Sequence, residues 1–263
     1  LPSDVYYGSG AYFQNCLLGV CEPASLLGYN VLITTSNVHD ISELQSLVES
    51  NRVDGMLLTR ALEDDRALQY LSQVNFPTAL TGTCRYDNII QVDTDNEGAA
   101  EKMTTLLIGK GFRRFAFLVK NMSYNVDRKR HEGFCRALIK NGISEKDQLF
   151  YNGSIRMEFL DAIIENIISK KVECIICGDD EICTMVMSRL QAEGYRIPKD
   201  VAIASLYNST NLDCYSPAVT AVSVAASQMG GAAVRQLIQR LRGENYEKKT
   251  MLDYDILFRK STN

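Results

Sequence analysis

The chain has 263 residues, of which 46% are hydrophobic and 23% charged, and its formal net charge is −4. The length suits two α/β lobes, and the composition is that of a globular protein with a sizeable core. An acidic balance argues against a module that grips nucleic acid by itself, because phosphate contacts dominate that affinity. No run of about 18 apolar residues occurs, so no membrane span is predicted.

Apolar runs alternate with helix-period segments along the chain. Strands are predicted over residues 31–35, 53–59, 77–81, 89–92, 115–119, 173–177, 201–206 and 252–258. Helices are predicted over residues 41–50 with Asp40 as N-cap, 66–74, 130–140, 157–169, 180–193 and 227–242, and another helix, capped by Asp95 or Asn96, runs to about residue 108. Strands that alternate with helices imply parallel sheets covered on both faces. Roughly ten strands are too many for one compact sheet, so we predict an α/β protein of two doubly wound lobes.

Eight scattered cysteines favour a reducing compartment, and hence the cytoplasm. Cys174 and Cys177 form a CxxC, but residues three apart in a strand face opposite sides of the sheet. We therefore predict buried thiols at these positions and no shared metal. The first residues show no leader peptide and no initiator Met, so the chain is expected to be part of a longer protein.

Catalytic and metal-binding motifs are missing from the sequence. Neither His39 nor His131 stands in a metal-ligand spacing such as HExxH. There is no GxSxG nucleophile elbow and no GxxxxGK(S/T) phosphate loop. We therefore predict no enzyme, no metal and no cofactor. Asp179 and Asp180 stand where a strand meets a helix, and they either cap the helix or hydrogen-bond a ligand at the strand ends.

A set of short motifs runs in order along nearly the whole chain. The set comprises Val53-Asp-Gly-Met-Leu-Leu58, Gln91-Val-Asp-Thr-Asp-Asn-Glu-Gly-Ala-Ala100, Leu107-Ile-Gly-Lys-Gly-Phe-Arg-Arg-Phe-Ala-Phe117, Arg130-His-Glu-Gly-Phe134, Cys177-Gly-Asp-Asp-Glu181, Pro217-Ala-Val-Thr-Ala-Val222 and Arg259-Lys-Ser-Thr262. Each motif is modest, but the ordered set is specific. It resembles the effector-binding region of LacI/GalR-family transcription regulators, which has the fold of the type I periplasmic binding proteins.

The resemblance implies a domain arrangement and a function. The N-terminal lobe would comprise residues 1–120 and 224–251, and the C-terminal lobe residues 121–223 and 252–263, with the ligand in a cleft between them. A small polar effector, a sugar or sugar derivative, would close the lobes and thereby control operator DNA binding. The DNA would be bound by a helix-turn-helix domain upstream of Leu1, and the regulator would be a homodimer.

The alternative is a secreted sugar-binding protein of an ABC transporter, which has the same fold. The eight cysteines, the missing leader and the closing Arg259-Lys-Ser-Thr262 favour the regulator.

The same resemblance implies a set of ligand-binding residues, with Arg130 foremost. Its planar guanidinium with five N–H donors suits hydroxyl or carboxylate groups, although an arginine at a helix start can also lie on the surface. Tyr12 and Phe13 offer aromatic faces for a sugar ring, or pack beneath the loop of residues 3–10, which is expected to form a lid.

The remaining members of that set are Asp95, Asn125, Ile155, Asp179 and Tyr207. Asp95 ends a strand and either accepts ligand hydrogen bonds or caps the next helix. Asn125 and Ile155 align loosely with positions that line the cleft in the family. Tyr207 stands where the family usually has a ligand-binding Asp. An acceptor-only carboxylate is thereby replaced by an aromatic hydroxyl, so the family's known sugars are not transferred to this chain.

Overall fold

Two β-sheets organise the chain in the computed structural model, which describes residues 10–35, 40–153, 155 and 157–263. Contacts divide the chain into unit 1, which comprises Leu1–Thr94, Ser123–Asn125 and Ala225–Asp253, and unit 2, which comprises Asp95–Met122, Val126–Val224 and Tyr254–Asn263. His39 and the expected lid residues 3–9 lie outside the described residues. Within the described ranges, no helix is both long and apolar enough to cross a bilayer.

The helices and strands alternate along most of the chain. The helices are α1 (Ala11–Leu26), α2 (Ser42–Glu49), α3 (Arg66–Gln73), α4 (Asn96–Gly109), α5 (Asn125–Lys140), α6 (Met157–Ser169), α7 (Asp180–Ala192), α8 (Thr210–Cys214) and α9 (Ala226–Leu241). The strands are β1 (Met56–Leu58), β2 (Thr78–Thr81), β3 (Ile90–Thr94), β4 (Phe115–Val119), β5 (Leu149–Asn152), β6 (Cys174–Cys177), β7 (Ala202–Ser205), β8 (Thr220–Val224), β9 (Lys249–Leu252) and β10 (Tyr254–Leu257).

Unit 1 contains a parallel sheet in the order β1-β2-β3-β9. Its strands alternate their side chains between two helix layers, because successive residues of a strand face opposite sides. Leu57 packs with residues of α9, whereas Met56 and Leu58 pack with residues of α2 and α3. The predicted α/β class with helices on both faces is thus confirmed for this sheet.

The strand predicted over residues 31–35 is absent from the part of the chain that the structure describes. Among the described residues, no ladder includes this segment, and Val31, Leu32 and Ile33 remain 38%, 62% and 52% exposed. They line an apolar depression of about 700 Å³ beside β1. The sequence has strong strand propensity there, but strand propensity needs a hydrogen-bonded neighbour to be realised.

Unit 2 contains a six-stranded sheet in the order β10-β8-β7-β6-β4-β5, parallel except for β10. Phe115, Phe117 and Val119 pack on one face with α4 and α5, while Ala116 and Leu118 pack on the other with α6 and α7.

Cys174 and Cys177 fall in these two opposite clusters, and both are fully buried. The prediction that this CxxC is a pair of separate core thiols is therefore confirmed.

Several boundaries differ from those predicted. Residues 95–120, expected in the N-terminal lobe, belong to unit 2, because β4 hydrogen-bonds to β5 and β6. Helix α5 begins at Asn125 and not at residue 130. The sequence did not predict this start because the first turn carries charged and polar side chains without an apolar period. The strand predicted over 252–258 corresponds to β10, Tyr254–Leu257, whereas Leu252 is the last residue of β9, which lies in the other sheet.

Close packing of α5 against α4 depends on Gly133. A Cβ atom at Gly133 would lie 2.1 Å from the main-chain oxygen of Glu97, a separation that no real contact reaches. The missing side chain therefore lets α5 approach the start of α4. Phe134, the next residue, uses this approach to stack on Phe117 with ring centroids 4.7 Å apart.

Gly133→Ala should lower the free energy of unfolding by about 1–3 kcal/mol or more, because the clash is with main-chain atoms that cannot rotate away. Gly109→Ala is the matched control, since a Cβ there meets nothing within 4 Å. The control should be neutral or gain up to about 1 kcal/mol from helix propensity. Urea unfolding of both variants measures the difference, and equal midpoints would contradict the packing account.

Candidate functional site

The carboxyl ends of the parallel strands in unit 2 bring three chain segments to one edge. Strand β6 lies between β4 and β7, so the residues that follow these strands are neighbours. Lys120 follows β4, Gly178 and Asp179 follow β6, and Tyr207 follows β7 by two residues. Open parallel sheets bind ligands at such an edge. We call the residues that follow these strands, together with the side chains that contact them, the carboxyl edge of unit 2.

Arg130 lies at the carboxyl edge and is 8% exposed. Its Nε donates to Oδ1 of Asn96 at 3.1 Å, and its Nη1 donates to the main-chain oxygen of Gly178 at 2.6 Å. Both acceptors are neutral, and they fix the plane of the guanidinium. Among the described residues, no hydrogen bond or ion pair occupies Nη2, so the fixed fork retains donors for another group.

Asp127 is buried one helical turn before Arg130, at 5% exposure. Its Oδ2 accepts the main-chain N–H of Asn121 at 3.0 Å. Burial raises the pKa of Asp127 to about 6, against the lowering effects of that hydrogen bond and of the nearby Arg130. The carboxyl group therefore gains a proton already in mildly acidic solution, where an ordinary aspartate is still ionised.

Lys120 joins two carboxylates at the same edge. Its Nζ lies 2.8 Å from Oδ2 of Asp179 and 2.5 Å from Oε2 of Glu181. These two carboxylates raise the pKa of the Lys120 ammonium above its ordinary range, against the opposing effect of burial. Asp179 also caps α7 by accepting the N–H of Ile182 at 2.9 Å, so both of its oxygens are used. The capping alternative for Asp179 is thus present in the structure.

The other predicted residues of unit 2 differ in exposure. Asp95 is the N-cap of α4 and accepts the N–H of Gly98 at 2.8 Å, while its residue as a whole stays exposed. Tyr207 is 3% exposed, and Ile155 belongs to the hydrophobic core that contains Leu160 and Ile164. A ligand contact with Tyr207 or Ile155 remains a prediction.

The predicted residues of unit 1 are Tyr12, Phe13 and Asn125. The rings of Tyr12 and Phe13 meet edge to face at the start of α1, with centroids 5.4 Å apart. Asn125 donates from Nδ2 to the main-chain oxygen of Thr83 at 2.9 Å. Next to it, the ring of Tyr124 lies under the guanidinium of Arg60 at 4.1 Å.

The carboxyl edge of unit 2 contains residues that the sequence did not single out, namely Lys120, Asp127 and Asn96. Lys120 and Asp127 stand in none of the motifs quoted above, and Asn96 stands in the motif of residues 91–100 without an expected ligand role of its own. Asp127 and Asn96 could have been found from helix geometry, because each lies near Arg130 once α4 and α5 are placed. Lys120 carried one signal, a cation directly after a buried strand.

A thiol and an imidazole also come together in unit 2, outside the carboxyl edge. The Cys135 Sγ lies 3.5 Å from Nε2 of His131. Burial raises the pKa of Cys135 to about 11 and lowers the pKa of His131. The thiol therefore stays protonated at neutral pH and lacks the thiolate that a nucleophile needs. Among the described side chains, no group of three or more His, Cys, Asp or Glu could hold a metal ion.

Comparison with protein families matches more than half of the chain. Residues 104–262 match the model of the periplasmic binding protein-like domain. The HTH-type transcriptional regulator CelR of Thermobifida fusca is 26% identical over 257 residues, which cover 95% of this chain and 76% of the regulator.

Solved structures agree with this match. The putative transcriptional regulator LacI from Bacillus cereus subsp. cytotoxis has a TM-score of 0.87 at 27% identity, with 96% of this chain and 92% of that chain covered. The CelR–cellobiose complex has a TM-score of 0.87 at 24% identity, with 99% and 82% covered, and so shows the shared fold.

Replacement of Asp127 by Asn should remove a pH-dependent loss of stability. The pKa of Asp127 is about 6 in the folded protein and 3.8 in its ordinary state, so its proton stabilises the fold fully below pH 3.8. That contribution is lost as the pH rises through about 6. Between pH 4.5 and 8 the variant should gain about 2 kcal/mol relative to the original protein.

Chemical unfolding at several pH values measures this gain. Asp147→Asn, at an exposed position, is the control and should show a constant difference. A constant difference for Asp127→Asn as well would contradict the proposed burial of an ionisable carboxyl group.

Proposed function

The chain belongs to the family of periplasmic binding protein-like domains, within its LacI-type regulators, and from this premise we propose that it binds an uncharged sugar at the carboxyl edge of unit 2. The bound sugar would control attachment of the regulator to operator DNA. The chain itself acts by binding and not by catalysis.

The observation that carries this proposal is the fixed guanidinium of Arg130. The buried guanidinium donates to two neutral acceptors, so its orientation is determined before a ligand arrives. Hydroxyl oxygens of a sugar are suitable acceptors for the N–H groups of Nη2. Such a preorganised donor gives both affinity and selection for a ligand with oxygen atoms at the matching position.

The charge of the carboxyl edge favours a ligand without negative charge. Two cations, Lys120 and Arg130, stand with four carboxyl groups, Asp127, Asp179, Asp180 and Glu181, a formal excess of two negative charges. An anionic sugar acid or sugar phosphate would be repelled by this excess. Lys120 is already engaged with two carboxylates, so it does not offer an open position for an anion.

Aromatic residues of unit 1 support a sugar rather than a strongly polar ion. Tyr12 and Phe13 form an edge-to-face pair, whose faces can stack on the C–H surface of a sugar ring. Asp95 is exposed and offers a carboxylate oxygen as an acceptor for hydroxyls. The family resemblance adds Asn125, Asp179, Ile155 and Tyr207, and we keep these residues with Tyr12, Phe13 and Asp95 as the proposed ligand-binding residues.

The names of two structural neighbours suggest which class of sugar to test first. One structural neighbour is a transcription regulator in complex with cellobiose, and another is named as a maltose operon repressor. We propose a glucose-containing disaccharide as the first ligand class to test. Ligand binding would shift the population of two conformations that differ in operator affinity.

The operator would be bound by a helix-turn-helix domain outside these 263 residues, in a homodimeric cytoplasmic regulator. The negative net charge of the chain agrees with this, because the sensing region need not hold phosphates itself. The reported relatives are transcription regulators, so they do not support the alternative of an ABC-transporter sugar-binding protein.

Arg130→Ala should weaken sugar binding by about tenfold to a hundredfold, the value of a hydrogen bond to a charged donor. Arg130→Lys should recover little, because an ammonium group does not reproduce the planar fork. Isothermal titration with cellobiose and with maltose measures the affinities.

Arg136→Ala is the matched control for Arg130→Ala. Arg136 lies on the same helix, is exposed, and pairs with Glu97 and Glu101. The control should bind sugar like the original protein. An unchanged affinity in Arg130→Ala would remove Arg130 from the site, and failure of the original protein to bind either sugar would overturn the disaccharide proposal.

A further inference from the structure

Lys120 is the one cation of the carboxyl edge that is held by carboxylates, among the residues that the structure describes. Its ammonium lies 2.8 Å from Asp179 and 2.5 Å from Glu181, and its side chain is 36% exposed. Asp179 is anchored a second time by the N–H of Ile182. Lys120 therefore bridges two carboxylates at the start of α7 and offsets one of their two formal negative charges.

Among the described residues, the other two carboxyl groups make no ion pair with Lys120. Asp127 accepts a main-chain N–H and is buried beside Arg130. Asp180 is buried, at 6% exposure. Among the four carboxyl groups named above for the carboxyl edge, Asp179 and Glu181 are therefore the two that share the ammonium group of Lys120. If that ion left, these two would be the groups open to a new cation.

We propose that Lys120 is the specificity residue that excludes cationic sugars, because its ammonium already fills the position between Asp179 and Glu181. The formal excess of negative charge at the edge attracts a ligand ammonium group, but at the position between Asp179 and Glu181 that group would have to displace a tethered ammonium or lie beside it, and both are unfavourable. A hydroxyl group has no such conflict. It donates to the remaining lone pairs of the carboxylates and accepts from the lysine. This inference rests on the proposed sugar function and adds its charge selection.

The residue type matters as well as the charge. Lysine supplies a compact ammonium on a flexible stem, so it can bridge two carboxylates that lie on different sides. The bridge joins the end of β4 to the first turn of α7. Methionine has a stem of similar length without the charge. Lys120→Met therefore empties the ammonium position and leaves the stem in place.

The test compares two disaccharides that differ in charge. Cellobiose is the neutral probe, and the β-1,4-linked glucosamine disaccharide, in which two hydroxyl groups become ammonium groups, is the cationic probe. The original protein should bind cellobiose at least about tenfold more tightly than the amino disaccharide. Lys120→Met should reduce or reverse that ratio by about tenfold or more, chiefly by tighter binding of the cationic probe.

Two control variants separate charge selection from a general loss of structure. Lys140→Met removes another salt-bridged lysine of unit 2, paired with Glu101, and should leave the ratio unchanged. Lys120→Arg keeps a cation and should retain the preference for cellobiose. If Lys120→Met does not fold, as judged by circular dichroism, Lys120→Met combined with Glu181→Gln removes one of the two uncompensated carboxylates and is tested in its place.

The outcomes distinguish this inference from the sugar proposal itself. An unchanged ratio in a folded Lys120→Met protein overturns the role of Lys120 while the sugar function stands. If the original protein binds neither cellobiose nor maltose, the disaccharide proposal fails. In that case a gain of binding of the amino disaccharide in Lys120→Met alone still supports the charge exclusion, and no gain overturns it too.

Discussion

Parallel pairing of β4 with β6 brings Lys120 and Asp179 side by side, because parallel neighbours end at the same edge of a sheet. The pairing is held by a core in which β4 alternates its side chains between two helix layers. Helix α5 then places Asp127 and Arg130 over that edge, and it can do so because Gly133 allows contact with α4. The polar site is thus a consequence of apolar packing beneath it.

Burial of charge is the main energetic cost of this arrangement. Isolated ions are unfavourable in the interior, and each ion here has a partner that reduces the cost. Arg130 has neutral oxygen acceptors, Lys120 has two carboxylates, and Asp127 gains a proton easily because its pKa is raised to about 6. Because the charged groups of this edge already have partners, the edge favours a ligand that brings hydroxyl groups and no new charge.

The sequence allowed much of the fold to be predicted, because hydrophobic periodicity reports burial directly. The limits of Phe115–Val119 and Met157–Ser169 agree with the structure. Predictions were wrong for two reasons. Residues 31–35 have the composition of a strand, but a strand also needs a distant partner, and no ladder among the described residues includes them. The start of α5 was missed because its first turn lacks an apolar period. Arg130 was identified through a resemblance, whereas its acceptors Asn96 and Gly178 are distant in sequence, and Lys120 belongs to no motif.

A crystal structure of the chain grown with cellobiose tests the central claim most directly. The account predicts the sugar at the carboxyl edge of the six-stranded sheet, with one hydroxyl oxygen within hydrogen-bond distance of Nη2 of Arg130. The hydrogen bonds of Arg130 to Asn96 and Gly178 should persist in that complex. A sugar bound elsewhere on the chain, or one that lies at the edge without contact to Arg130, would contradict the account.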